Sequence, residues 1–314
     1  MQSDILTQFL GFLKAPEKII DQKSAKQKLV VVTWRVLQIT SVSVVAAILA
    51  LLVSSAVSSG FGYDQSGDNQ VGDFLASYPL YQAFLLVVIV GPFLEEFSFR
   101  FFVSKKKWVF LIGCGLLGFQ FLNFITTIWA SVDKNIIENI WFGLSFLVGF
   151  ILLFLTVIVS GFLISKERIA SFVTRHARFL VWFSVIFFGF VHLGNYANGI
   201  RFFYLAPLLV APQLIAGTAF IFMRVRYNIW WAFAGHALYN FILSFSLFVY
   251  AIFGVGDELD KILNNLNSGK VDLSPNLMSA NLTLFALYFG VLVIAMYTIS
   301  KFLLARIEAK SKVS

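Results

Sequence analysis

Hydrophobic residues along this chain gather into runs of about 20, the length of helix that crosses a 30 Å hydrocarbon layer at roughly 1.5 Å per residue. Eight runs are read, at about 33–57, 80–103, 108–131, 140–164, 179–193, 203–223, 228–253 and 281–304. The longer connections, about 58–79 and 254–280, are rich in Gly, Ser, Asn and Asp and read as solvated loops. The fifth run is short and ends in His192, Gly194, Asn195 and Asn198, and the sixth contains Pro207 and Pro212. Those features predict a helix broken inside the protein, which is tolerated where backbone lines a cavity or is buried by neighbours. The pattern as a whole predicts an all-α, polytopic membrane bundle of eight transmembrane helices over 32–306. A basic segment at 1–31 precedes it and a short tail at 307–314 follows. Ile5, Leu6, Phe9, Leu10 and Leu13 at helical spacing suit either a short interfacial helix or a basic tail without structure.

Composition sharpens the choice of solvent. Of 314 residues 59% are hydrophobic and 13% charged, and the mean hydropathy is +0.84, whereas soluble domains run at about 25% charged. The first long apolar run starts late and is too long for a signal-peptide core, so a cleaved leader is not expected. Charge supplies orientation, because Lys and Arg accumulate in cytoplasmic loops. With the N-terminus inside, the outer loops hold only Lys134, Arg201, Lys261 and Lys270 of the 24 Lys and Arg residues. Both termini are therefore expected in the cytoplasm, and in a bacterial cell the membrane would be the plasma (inner) membrane. The net charge of +8 reads as orientation and attraction to anionic membrane lipid, with no nucleic-acid partner. The single cysteine, Cys114, excludes an intramolecular disulfide and reads as a small core hydrophobe.

Candidate chemistry lies in three polar islands inside the apolar runs: Glu95-Glu96-x-x-x-Arg100, Phe188-x-x-x-His192 and His236-x-x-x-Asn240. An ionisable group at this depth costs about 2.5–3.5 kcal/mol on insertion scales, so each calls for a partner or a task. Glu96 and Arg100 are four apart and can pair on one helix face, while Glu95 is turned about 100° away and is left for something else. Counted from Lys105 and from Arg226, Glu95 and His236 both lie about ten residues, or about 15 Å of helix, below the cytoplasmic surface. His192 lies a few residues deeper, a mismatch that tilt or breakage would absorb. His176, among Arg175 and Arg178 in a loop, is given no role.

A carboxylate and two imidazoles in a membrane cavity make a workable hydrolytic site. Glutamate can take a proton from water with a histidine's help, while a second histidine and an amide donate to an oxyanion. The same Glu95, His192 and His236 could instead hold Zn²⁺ with an open position for water. No H-E-x-x-H helix is present.

The ordered set E-E-x-x-x-R, F-x-x-x-H and H-x-x-x-N, over about 80–250, resembles the CPBP family of intramembrane proteases. That family comprises the type II CAAX prenyl endopeptidases and the bacteriocin-processing and immunity proteins. The resemblance implies catalytic roles for Glu95 and His192 in activating water, oxyanion stabilisation by His236 and Asn240, and support from Glu96 and Arg100. It favours a glutamate-dependent mechanism with no cofactor, zinc being the alternative. It also implies a membrane-associated or prenylated peptide or protein as substrate, for CAAX-type processing or bacteriocin maturation and immunity. Two other classes keep the same residues: a transporter or proton relay built on Glu95, Glu96 and His236, and a non-catalytic membrane adaptor that uses the cluster for stability.

Overall fold

Apolar runs without interior helix breakers leave the backbone one economical way to satisfy its hydrogen bonds in hydrocarbon, the α-helix. In the computed structural model, which describes residues 11–12, 25–60, 79–132, 140–195, 205–245, 249 and 275–311, the chain is helical throughout, and no strand occurs among the described residues. All but residues 11–12 of the interfacial segment read at 5–13, and most of the two long loops, fall outside the described residues.

The helices are α1 (Ala25–Gly60), α2 (continuous over 80–100), α3 (Lys107–Val132), α4 (Ile140–Leu163) and α5 (Lys166–Arg175), followed by α6 (Ala177–Val191), the short α7 (Ala206–Leu209), α8 (Ala211–Arg226), α9 (Ile229–Leu243) and α10 (Pro275–Ser311). Local chemistry sets several ends. Asn228 Oδ1 accepts from the Trp230 and Trp231 N–H groups at 2.9 and 3.2 Å and starts α9. Ser165 Oγ caps α5 through the Arg168 N–H. Pro207 and Pro212 each stand in the first turn of their helix, where a missing N–H costs nothing. The break expected in the sixth run therefore falls at Val210, between α7 and α8. The fifth run also breaks: after Val191 it tightens into a 3₁₀ turn over His192–Asn195.

Six helices among the described residues are long and apolar enough to cross a membrane: Leu29–Ala50, Tyr81–Arg100, Lys107–Thr126, Gly143–Leu163, Ala177–Asn195 and Leu282–Lys301. The sixth and seventh runs of the sequence carry α8 and α9, whose described lengths are 16 and 15 residues, so six spans are seen among the described residues and the count of eight is not reached there. These two are the inner helices. α8 packs against α1, α6 and α9, and α9 against α1 and α2. Their shared core holds Val32, Val36, Phe220, Met223 and Ala232, all nearly inaccessible. α4 is the opposite case. It is apolar all round yet almost wholly unburied within the fold, an arrangement that only a hydrocarbon solvent makes stable. The chain is a multi-pass membrane protein.

Three contacts lock the elements that carry the polar islands. The Ser184 hydroxyl of α6 donates to the Phe99 carbonyl of α2 at 2.6 Å. Gln120 of α3 donates to Ser98 Oγ at 3.3 Å. Gly113 of α3 lies so close to the turn after α2 that a Cβ there would fall on the Phe102 backbone nitrogen. Cys114 packs with Phe102 and Leu111, as a core hydrophobe would.

Candidate functional site

Glu95 and Glu96 are adjacent in α2 and meet different surroundings, because consecutive helical residues point about 100° apart. Glu96 is fully buried. Its Oε1 lies 2.9 Å from Arg100 Nη1, one turn on, and 2.9 Å from His236 Nδ1 of α9. Arg100 is equally buried, and its guanidinium lies between two rings, with Cζ 4.3 Å from the Phe188 centroid and 5.6 Å from that of Phe220. The cation is thus held by one carboxylate and two aromatic faces. Arg100 Nε and Nη2 and Glu96 Oε2 are buried without a hydrogen-bond partner.

Glu95 turns the other way and remains 28% exposed. Its Oε2 lies 3.8 Å from His192 Nε2 and 3.7 Å from His236 Nε2, beyond direct hydrogen bonding. His192 caps α6 where the 3₁₀ turn begins, and its ring reaches Glu95 from there.

The other ring nitrogens fix the tautomers. His192 Nδ1 lies 2.7 Å from the Phe188 carbonyl, and a carbonyl only accepts, so Nδ1 carries the proton. His236 Nδ1 donates in the same way to the Glu96 carboxylate at 2.9 Å. Each ring therefore turns its Nε2 toward Glu95. Glu95 Oε2 and the two Nε2 atoms converge, and Oε2 is itself buried without a hydrogen-bond partner although the side chain is partly exposed, which suits a water that gives up a proton.

Asn240 is not drawn to Glu95 by a hydrogen bond. It sits one turn beyond His236 and donates its amide Nδ2 to the Val87 carbonyl of α2 at 2.9 Å. His176 lies apart, at the junction of α5 and α6 with its ring against Phe172.

Zinc ligation was the alternative use of Glu95, His192 and His236. A tetrahedral ion with Zn–N of about 2.0–2.1 Å and Zn–O of about 2.0–2.2 Å spaces its nitrogen and oxygen ligands about 3.3 Å apart. The 3.7 and 3.8 Å separations are wider, and among the described residues no three His, Cys, Asp or Glu side chains are gathered as a metal site.

One contributor, Phe220, escapes sequence reasoning. Phe220 of α8 stacks on the His236 ring at 4.3 Å and 20°, and Phe188 packs edge-on to both His192 and His236. Phe188 belongs to the second motif, but Phe220 is one of 37 phenylalanines, and only its neighbours distinguish it.

The fold and the site together define a helical, multi-pass membrane protein with a buried Glu–Arg–His cluster and a second, open carboxylate beside it. No protein-family model, no curated protein and no solved structure matches this chain.

Proposed function

We propose that this protein is an intramembrane endopeptidase that hydrolyses a peptide bond in a membrane-associated or lipidated substrate. Its resemblance to the CPBP proteases rests on the three motifs alone. The observation that supports the reading best is the division of labour between adjacent carboxylates: Glu96 is sequestered by Arg100 and His236, and Glu95 Oε2 faces two bare imidazole nitrogens at 3.7 and 3.8 Å. A purely structural ion pair has no use for the second carboxylate.

In this reading a water seated among Glu95, His192 and His236 attacks the scissile carbonyl carbon while its proton passes to Glu95 Oε2 or His192 Nε2. The carbonyl π electrons move to oxygen. His236, with Nε2–H directed at that oxyanion, would donate to it while its ring rests between the Glu96 carboxylate and the Phe220 ring. The C–N bond then breaks, and the proton held by Glu95 or His192 moves to the leaving amine. No step is routed through a metal. With the orientation expected from the basic loops, both termini and the open side of the site face the cytoplasm.

The test is peptide cleavage by purified protein in lipid vesicles, wild type beside Glu95→Gln and His236→Ala, over prenylated and plain peptides. Cleavage lost in folded variants, with chelator having no effect, is the expected result. Solute or proton flux dependent on Glu95 without cleavage would favour the transporter. Loss of folded yield on substitution of Glu95 would favour the adaptor.

A further inference from the structure

We infer that Asn240 is a positioning residue that closes a π turn in α2 and so aims Glu95. The kinetic part of this inference rests on the endopeptidase reading, but the structural part does not.

α2 is regular at both ends and widens to π geometry over Leu85–Val90. In that geometry each N–H donates five residues back, and the Gly91 N–H donates to the Leu86 carbonyl. In an α-helix the Gly91 N–H would have served Val87. Under the π pattern the Val87 carbonyl falls to residue 92, which is Pro92 and has no N–H. The turn therefore leaves one carbonyl without a donor from its own helix. Asn240 Nδ2, on the neighbouring α9, donates to that carbonyl at 2.9 Å.

Gly91 fits the same geometry. A Cβ on residue 91 would sit 3.0 Å from the Leu86 carbonyl oxygen, which the π turn brings close. Three residues in two helices, Gly91, Pro92 and Asn240, thus serve one irregularity. Its consequence reaches the site three residues on. A π turn carries one more residue than the α turn it replaces, so relaxation to α would rotate Glu95 by about 100° about the helix axis. Glu95 would then face away from His192 and His236. Asn240 also lies one turn from His236 on α9, so the bond sets the register between the helix that carries the glutamates and the helix that carries the imidazole.

The experiment uses Asn240→Ala, Pro92→Ala and the double variant, purified in lipid nanodiscs. Alanine at 92 restores an N–H that can donate to Val87 within the turn, which makes the amide of Asn240 redundant. Asn240→Ala alone should speed amide exchange across 85–93 on the order of tenfold or more and lower kcat while KM stays near wild type. In the double variant both exchange protection and kcat should return toward wild type. If Asn240→Ala lowers folded yield, recovery of yield in the double variant is the same rescue. An oxyanion donor cannot be rescued by an N–H at residue 92, so a double variant as slow as Asn240→Ala, with exchange over 85–93 unchanged in both, overturns the inference. If wild type cleaves no peptide at all, the endopeptidase reading fails by itself, and exchange over 85–93 still decides the role of Asn240.

Discussion

Replacing Glu96 with Gln should be among the most destabilising single changes available in this protein, although it removes no more than one charge. Glu96 and Arg100 both have fully inaccessible side chains at 2.9 Å. Removing one member of a buried pair leaves the other charge without compensation and typically costs about 3–5 kcal/mol, against a total stability of about 5–15 kcal/mol. Gln keeps an oxygen to accept the His236 Nδ1–H, so the loss isolates the charge term. Arg100→Met removes the cation, along with a desolvated ring contact worth about 2 kcal/mol. It leaves Glu96 with the His236 hydrogen bond. The double variant Glu96→Gln/Arg100→Met has no unpaired charge, keeps the His236 hydrogen bond, and places a thioether between Phe188 and Phe220. It should lie within about 2 kcal/mol of wild type. Denaturant titration in micelles, followed by tryptophan fluorescence, measures all three variants. The reasoning is refuted if Glu96→Gln costs less than about 1 kcal/mol, the range of exposed pairs, or if the double variant is as unstable as the two single losses combined.

Glu95→Gln should behave oppositely. Its carboxylate is partly exposed and makes no contact shorter than 3.7 Å to either histidine, so the melting curve should shift by about 0.5 kcal/mol or less while peptide cleavage disappears. A chelator added to wild type should leave cleavage unchanged, and activity lost to chelator and restored by zinc would move Glu95, His192 and His236 into a metal shell. Gly113→Ala should be far worse than Gly235→Ala. The first places a Cβ on the Phe102 backbone nitrogen and 2.5 Å from the Phe101 carbonyl carbon, neither of which can turn aside, whereas the second meets Met223 Sδ at 2.6 Å, near the end of a flexible side chain. Overpacking costs about 1–3 kcal/mol where neighbours adjust and more where they cannot, so similar melting temperatures for the two variants would contradict the close approach at Gly113.

Sequence alone determined the solvent and the secondary structure. Runs of about 20 apolar residues in a chain with few charges admit helices in hydrocarbon and little else, and one-turn spacing was enough to pair Glu96 with Arg100 and to turn Glu95 away. Breaks near His192 and near Pro207 and Pro212 were also legible, because a polar cluster and an imide ring cannot continue an apolar helix unaided. Tertiary structure decided what helical periodicity does not encode: which helices touch. It set α9 beside α2, so that His236 bridges Glu96 and faces Glu95, and it chose Phe220 from among many phenylalanines. It also placed α8 and α9 at the centre of the packing, α8 against α1, α6 and α9, and α9 against α1 and α2. The π turn in α2 was not legible in the pattern of apolar residues around Gly91-Pro92. Its purpose emerges only when the orphaned Val87 carbonyl is found against Asn240, since a missing donor within one helix can be supplied only by a neighbour that the local sequence does not name.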